Sequence, residues 1–261
     1  AGRYARGTAI VNLLALQKDE QLRAFVAVKE FGEGQFLVMA TKQGTIKKTA
    51  LSAYGNQRKA GITAITLEPG DGLIEAKVTD GKQELLLITR LGKAIRFPEE
   101  QAREVGRAAR GVRGIRLDKH DEVVSMVVAH AKADVLTMTE LGFGKRSSLE
   151  EYRVQSRGGK GIINIKVTER NGKVVGAKTV SDRDEVMLIS HEGMIVRCAV
   201  KDVRETGRAA QGVRLINMKG KDCVVSVASG VPREDEENEA GTPAVEPPEA
   251  AAPTPAPTPK A

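Results

Sequence analysis

The sequence predicts an all-β, propeller-like array built from a repeat of about fifty residues. Three observations lead there. A basic turn closed by glycine recurs at Gly61, Gly111, Gly161 and Gly212, spaced by 50, 50 and 51 residues, with an earlier copy at Gly7. Hairpin glycines recur in a second phase, at Gly44, Gly92, Gly142 and Gly193. Short runs rich in β-branched residues flank both sets, which argues against a helical solenoid of the same period.

Each complete copy opens with an apolar strand, predicted over Phe36–Thr41, Leu85–Thr89, Val135–Thr139 and Val186–Ser190. The hairpin glycine follows, supplying the positive φ of a tight turn. A second strand then runs into basic residues: Lys47 and Lys48, Arg96, Lys145 and Arg146, and Arg197. A polar connection carries the basic turn, with short helical turns expected around Pro98–Arg103 and Ser148–Tyr152. The third strand is predicted over Ile62–Leu67, Val112–Leu117, Ile162–Val167 and Val213–Met218, and the fourth over Leu73–Val78, Val123–Val128, Val174–Val180 and Val224–Ala228. Their alternation is partial, as expected for strands half buried against neighbouring sheets.

The first copy is incomplete. Arg3–Gly7 is its basic turn, and Thr8–Leu14 and Leu22–Val28 are its third and fourth strands, without an opening hairpin. The chain is therefore expected to begin inside a repeat. The domain spans residues 1–231, in repeats of about 1–34 (partial), 35–82, 83–133, 134–184 and 185–231. Residues 232–261 are an acidic, Ala/Pro-rich tail that cannot bury enough apolar surface to order itself.

Charge is distributed unevenly. The net charge is +7, but the segment from Arg233 onward carries −5, which leaves +12 on the body. A basic body points to a polyanion, and the segment Glu234–Glu239 reads either as a competitor for that partner or as a solubilising linker. Aromatic residues make up 3% and Trp is absent, so base stacking is not the main binding principle. Cys198 and Cys223 are the only cysteines and lie far apart, which predicts free thiols in a reducing compartment and no zinc site. No apolar run is long enough for a membrane span, and no charged-then-apolar segment opens the chain. His120, His130 and His191 share no spacing with acids or cysteines, and no nucleophile has a base in pattern. Catalysis within the chain is not expected.

The basic turns are Arg3-Tyr-Ala-Arg6-Gly7, Arg107-Ala-Ala-Arg110-Gly111, Arg157-Gly158-Gly159-Lys160-Gly161 and Arg208-Ala-Ala-Gln211-Gly212. Before Gly61 the pattern departs, with Arg58 and Lys59. Small residues between the charges would let backbone N–H groups approach an anion while Arg and Lys grip its oxygens. Any single turn of this kind is by default a solvated loop. Recurrence at one phase, with a further cation after each hairpin, favours contact with a phosphate backbone without base readout.

The stretches Ile10-Val-Asn-Leu-Leu14, Gly44-Thr-Ile-Lys-Lys-Thr49, Gly111-Val-Arg-Gly-Ile-Arg-Leu117 and Ile165-Lys-Val-Thr-Glu-Arg-Asn-Gly172 carry a resemblance that covers nearly all of the body. The chain resembles the C-terminal domain of gyrase A, one of the two polypeptides of DNA gyrase. Topoisomerase IV shares that family in looser form. The resemblance implies a six-bladed β-pinwheel whose adjacent blades exchange strands, here with about five blades and the first missing. It implies a basic outer rim that binds, bends and wraps duplex DNA largely independently of sequence, in support of ATP-dependent negative supercoiling. It implies a non-catalytic domain without a cofactor of its own. ATP and Mg2+ would serve the holoenzyme, an A2B2 assembly of gyrase A and gyrase B polypeptides in the bacterial cytoplasm at the nucleoid. The isolated domain would be monomeric and off the membrane.

The family's diagnostic box reads Gln, basic, Arg, Gly, Gly, basic, Gly. Gln155, Arg157, Gly158, Gly159, Lys160 and Gly161 match it, with Ser156 in place of a basic residue. Counting repeats places this turn in the fifth blade, whereas the box lies in the first. General DNA contact therefore carries over to Gln155–Gly161, and the box's special role does not. Rival readings are a topoisomerase IV domain, marked by lack of an intact box upstream, and a propeller scaffold for proteins, which would bind partners after nuclease treatment. A central enzyme site would need convergent acids or metal ligands.

Overall fold

The computed structural model describes residues 16, 20–56, 58, 61–130 and 133–229. By its contacts the chain divides into Ala1–Gly230 and Val231–Ala261. The tail and most of the first partial copy lie outside the described residues.

Three repeats supply three long strands and one short strand each, and a fourth is partly built. In chain order these are β1 (Phe36–Thr41), β2 (Thr45–Ala50), β3 (Leu73–Thr79), β4 (Glu84–Thr89), β5 (Lys93–Pro98), β6 (Val112–Arg113), β7 (Val123–Ala129), β8 (Asp134–Thr139), β9 (Phe143–Ser148), β10 (Ile162–Ile163), β11 (Val174–Val180), β12 (Glu185–Ser190), β13 (Ile195–Ala199), β14 (Val213–Arg214) and β15 (Val224–Ser229). They form four antiparallel sheets in the orders β3-β1-β2-β6, β7-β4-β5-β10, β11-β8-β9-β14 and β15-β12-β13. These are blades 1 to 4 of an all-β propeller. The opening strands and hairpins fall where the sequence places them. Gly44, Gly92, Gly142 and Gly193 have φ between 80° and 87°, a region costly for any residue with a Cβ. The expected helical turns are single 3-10 turns at Glu99–Gln101 and Leu149–Glu151, with further turns at Leu51–Tyr54 and Val200–Asp202.

The third strand departs from expectation. It is two residues long in β6, β10 and β14, and it pairs with the blade before its own repeat. Only two positions find ladder partners, because the chain then bends inward: Gly114 and Ile115 both donate their backbone N–H to the carbonyl of Gly44. That bend buries Ile115 between blades 1 and 2. Residues 62–67 form no strand, and neither do residues 22–28. Ala24 and Val26 instead pack as alternate residues of an extended segment against Met39, Tyr54 and Ala76.

Alternation along the opening strands explains the stacking of blades. Leu85 and Leu87 of β4 join Val38, Ala40 and Ile46 of blade 1, whereas Leu86 and Ile88 join Val135 and Ala177 of blade 3. A strand with opposite faces against two neighbours must be apolar throughout, and Leu85–Ile88 are all fully buried. The inner strands β3, β7, β11 and β15 line a central cavity of about 350 Å³. Within it the Glu75 carboxylate accepts from the Met126 N–H at 3.1 Å and pairs with Lys77 at 3.0 Å and Lys178 at 3.4 Å, linking β3, β7 and β11. The hub is thus tied by charge, and the opposite edge of each blade faces outward.

Candidate nucleic-acid interface

The outer edge of each of blades 1 to 3 is covered by the polar connection of the following repeat. On blade 1 the connection makes a parallel bridge between Glu104 and Lys48, donates the Val105 N–H to the Lys48 carbonyl at 2.9 Å, turns, and ends in β6. Val154 with Arg96 and Glu205 with Arg146 start the same straps on blades 2 and 3. Each turn glycine lies against the strand beneath. A Cβ on Gly161 would come within 2.4 Å of the Ala94 carbonyl, and one on Gly111 or Gly212 within 2.6 Å of the Ile46 or Gly144 carbonyl. Glycine at this phase is therefore required by close packing as well as by its positive φ.

Successive straps are joined to each other. The backbone N–H of Thr66, Arg116 and Lys166 donates to the carbonyl of Ala109, Gly159 and Ala210, at 3.4, 2.8 and 3.1 Å. The first arginine of each turn repeats the link, with Arg107, Arg157 and Arg208 donating to the carbonyls of Thr63, Arg113 and Ile163. The result is one hydrogen-bonded belt across the outer edges of the blades.

The belt alters the roles expected of the basic residues. Lys47 and Lys145 are fully buried and cannot reach a phosphate on the surface. Lys47 donates to the carbonyls of Ala64 and Arg107, and Lys145 to the Ser147 hydroxyl. Burial lowers the pKa of each to about 8, helped by the Arg107 charge for Lys47 and the Arg208 charge for Lys145, against an opposing effect of Glu151. Lys48 lies under the strap beside the Glu99 carbonyl and the Phe36 ring. Arg96 pairs with Glu84 and donates to the carbonyls of Leu149 and Tyr152 at 2.9 and 3.1 Å. Arg146 pairs with Asp134 and Asp182, and Arg197 with Glu185. These cations after the hairpin are engaged by carboxylates, carbonyls or a hydroxyl of the fold itself.

Within the basic turns, one backbone N–H of each pair of small residues is also engaged. Gly158 donates to the Gly114 carbonyl at 2.7 Å, Ala109 to Gly106 and Ala210 to Gly207. The Arg157 N–H donates to the Gln101 side chain at 2.7 Å and the Gln155 N–H to the Arg96 carbonyl at 2.8 Å. Arg107, Arg157 and Arg208 act first as staples. Lys160 is exposed, and Arg110 is 64% exposed while paired with Glu68. Exposed pairs of this kind contribute about 0–1 kcal/mol, so an anion can compete for Arg110. Arg58 is exposed. Arg3, Arg6 and Lys59 lie outside the described residues.

A third set of cations was not singled out from the sequence. Arg103, Arg153 and Arg204 each follow a 3-10 turn at the start of a strap, are exposed, and have no side-chain partner among the described residues. Their spacings of 50 and 51 residues match the repeat. That phase is itself a legible signal, overshadowed by the more conspicuous Gly-ended turns. Arg116 and Lys166 add exposed charge further along the belt. Among the described residues no cluster of three or more His, Cys, Asp or Glu is placed to hold a metal ion, and no helix is long and apolar enough to cross a membrane.

Comparisons with known proteins agree with this architecture. The family model described as DNA gyrase C-terminal domain, beta-propeller, matches residues 35–80, 83–130, 133–181 and 184–229, one match per blade. The DNA gyrase A polypeptide of Halalkalibacterium halodurans is 52% identical over 236 residues, which cover 90% of this chain and 28% of that protein. Its counterpart in Clostridium acetobutylicum is 46% identical over 228 residues, covering 87% and 28%. The chain thus spans just over a quarter of the length of these relatives. Among solved structures, the C-terminal domain of DNA topoisomerase IV superposes with a TM-score of 0.80 at 27% identity, covering 85% of this chain and 70% of that one. The DNA gyrase A C-terminal domain does so with a TM-score of 0.79 at 25% identity, covering 87% and 76%.

Proposed function

The chain belongs to the DNA gyrase C-terminal domain family, and on that premise we propose that it binds, bends and wraps duplex DNA along the belt, with little dependence on base sequence. The observation that carries this reading is the row of unpartnered Arg103, Arg153 and Arg204, one at the head of each strap. Lys160, Arg110, Arg116 and Lys166 flank the row as accessible charge. Guanidinium groups in this arrangement suit phosphate oxygens, which carry no base sequence. Bending a site of 20–30 base pairs costs roughly 1–6 kcal/mol, which contacts spread over successive blades can offset.

The domain contributes binding and geometry rather than chemistry. In the assembled enzyme, gyrase A and gyrase B polypeptides in an A2B2 arrangement in the bacterial cytoplasm, wrapped DNA would be presented to the cleavage core for ATP-dependent negative supercoiling. ATP and Mg2+ would serve other parts of the holoenzyme. Topoisomerase IV shares the fold, and the names of the curated relatives favour gyrase. The test is duplex binding as a function of salt together with end-to-end energy transfer on a labelled duplex. Log affinity should fall with log salt by about 0.9 per phosphate neutralised, and the duplex ends should approach on binding. An affinity that changes less than about twofold between 50 and 200 mM salt would overturn the reading.

A further inference from the structure

The hairpin ends of blades 2 and 3 differ in charge. In blade 2 the residue after the hairpin glycine is Lys93, and its ammonium is paired with Asp118 of the turn leading to β7. Asp121 of the same turn accepts the N–H groups of Leu91 and Glu122, both at 2.9 Å. In blade 3 the corresponding residues are Phe143, Thr168 and Gly172, so neither acid is present. The turn leading to β11 is also one residue longer, with Val174 nine residues after Ile165 where Val123 is eight after Ile115. Arg170 of that turn lies over the Phe143 ring, 5.2 Å from its centroid. Arg214 of β14 faces Phe143 in the ladder and lies 5.0 Å from the same centroid. The ring is 2% exposed, whereas both arginines are exposed.

We propose that Arg170 and Arg214 form a phosphate clamp on the hairpin end of blade 3, and that it grips the backbone of a duplex crossing the third strap. The clamp rests on the reading of the belt as a DNA surface. A guanidinium stacked on an aromatic ring engages its face, while its five N–H donors lie in the plane and point outward from the edge. Stacking therefore orients the fork without occupying it, and less rotamer freedom is lost when an anion arrives. Among the described residues, the one hydrogen bond of either guanidinium runs from Arg214 Nη1 to Asn217 Oδ1 at 3.3 Å.

The two arginines sit on different segments, and the buried Asn171 side chain holds those segments in one frame. Its Oδ1 accepts from the N–H and the hydroxyl of Thr168 at 2.8 and 3.1 Å. Its Nδ2 donates to the carbonyls of Lys166 and Gln211 at 2.9 and 2.8 Å, which ties the turn carrying Arg170 to the strap carrying Arg214. Of the acids nearby, Glu140 is engaged by the Lys173 N–H and Arg90. Glu169 precedes Arg170 in the chain and makes no ion pair with either arginine among the described residues. Lys166 adds a third exposed positive charge on the same connection.

The clamp lies at the foot of the strap that Arg204 heads. Glu205 bridges Arg146 and Arg214 faces Phe143, three residues apart on β9, so head and foot are separated by about 10 Å along the blade edge. A duplex presents one negative charge per roughly 1.7 Å of its axis, so a backbone held at Arg204 has further phosphates within reach of the clamp. The same foot on blade 2 offers the neutralised Lys93–Asp118 pair with Ile163 opposite Lys93. Blade 3 therefore grips more strongly than blade 2 and draws the duplex toward its hairpin end.

Duplex affinity of the 261-residue chain as a function of salt tests the clamp. Arg170→Ala together with Arg214→Ala should weaken binding about tenfold or more near 100 mM salt and make the log–log slope shallower by about 1.8. Arg170→Lys together with Arg214→Lys keeps the charge without the planar fork, and should restore the slope while leaving affinity about threefold short of wild type. An Ala pair that binds as wild type does, or a Lys pair equal to wild type, overturns the clamp and leaves the belt reading standing. A wild-type affinity that ignores salt overturns both. Because the Ala pair bares the Phe143 ring, a second measurement uses the unmodified chain. Phenylglyoxal, which reacts with accessible guanidinium groups, should modify Arg170 and Arg214 at least about fivefold more slowly with duplex present at roughly ten times its Kd. Protection no greater than that of Arg183, which follows β11 at its other end, overturns the proposal.

Discussion

Two sets of cations repeat through this molecule with the same period, a few residues apart, and meet opposite fates. Those after the hairpins, from Lys47 to Arg197, are held by carboxylates, carbonyls or a hydroxyl of the fold, and those of blades 1 to 3 lie under or beside the straps. Those at the heads of the straps, Arg103, Arg153 and Arg204, point into solvent with nothing described to hold them. The residue type is the same and so is the periodicity. The difference is the counter-charge in contact: Glu84, Asp134 and Glu185 pair with Arg96, Arg146 and Arg197, whereas Arg103, Arg153 and Arg204 make no ion pair among the described residues, although Glu104 and Glu205 directly follow two of them in the chain. A repeated charge marks a binding surface only after the fold's own claims on it have been subtracted.

The largest expected effect separates the two sets directly. Replacing Arg103, Arg153 and Arg204 together by Ala should weaken duplex binding by about a hundredfold or more, from roughly 1 kcal/mol or more per contact. The salt slope should become shallower by about 2.7, while the melting temperature stays within about 2 °C. Unchanged affinity, or a collapse in melting temperature, would erase the distinction. The next effect should run the other way. Arg96→Ala removes the partner of Glu84 and of the Tyr152 carbonyl and one of two donors to the Leu149 carbonyl, and should cost about 3 kcal/mol of stability, some 6–12 °C in melting temperature, with DNA affinity of the folded protein within about twofold.

The smallest effect sharpens the comparison through pH. Lys145 has a folded pKa of about 8 against an ordinary 10.5, so between those values the unfolded chain holds a proton that the folded one has released. Wild-type stability therefore rises with pH across that window, by up to about 3 kcal/mol for this group. Lys145→Met lacks the term. It should match or exceed wild-type stability at pH 7 and lose that advantage as pH climbs from 8 to 10.5, in paired denaturant melts. A constant difference across the window would show that Lys145 is not a strained buried cation.

Much of the fold was legible because each element depends on local chemistry. Hairpin glycines, β-branched runs and their alternation placed the opening and fourth strands of blades 1 to 4 to within a residue at their ends. Strand exchange between blades was expected only from the resemblance. It is a choice between two equivalent neighbours, and nothing in Val112–Leu117 states which blade it joins. The site was less legible for a related reason. Lys47 and Lys145 occupy a strand position where the strap passes overhead, and the strap comes from the next repeat, some sixty residues later. Burial imposed from that distance leaves no mark in the local sequence. The glycines that close the turns, Gly111, Gly161 and Gly212, lie too close to the strand beneath for any side chain, a demand set by a neighbouring blade and not by the local sequence.

Strand donation also sets a timetable for synthesis. β2 ends at Ala50, but the residues that cover its outer edge end at Arg113. At about 5–20 residues per second, the ribosome leaves that edge bare for roughly 3–13 seconds, and the edges of β5 and β9 wait similarly. A bare strand edge invites pairing with other chains, and charged side chains on it discourage that pairing. The cations of the second strands, buried at some cost in the finished protein, are solvated and charged throughout that interval.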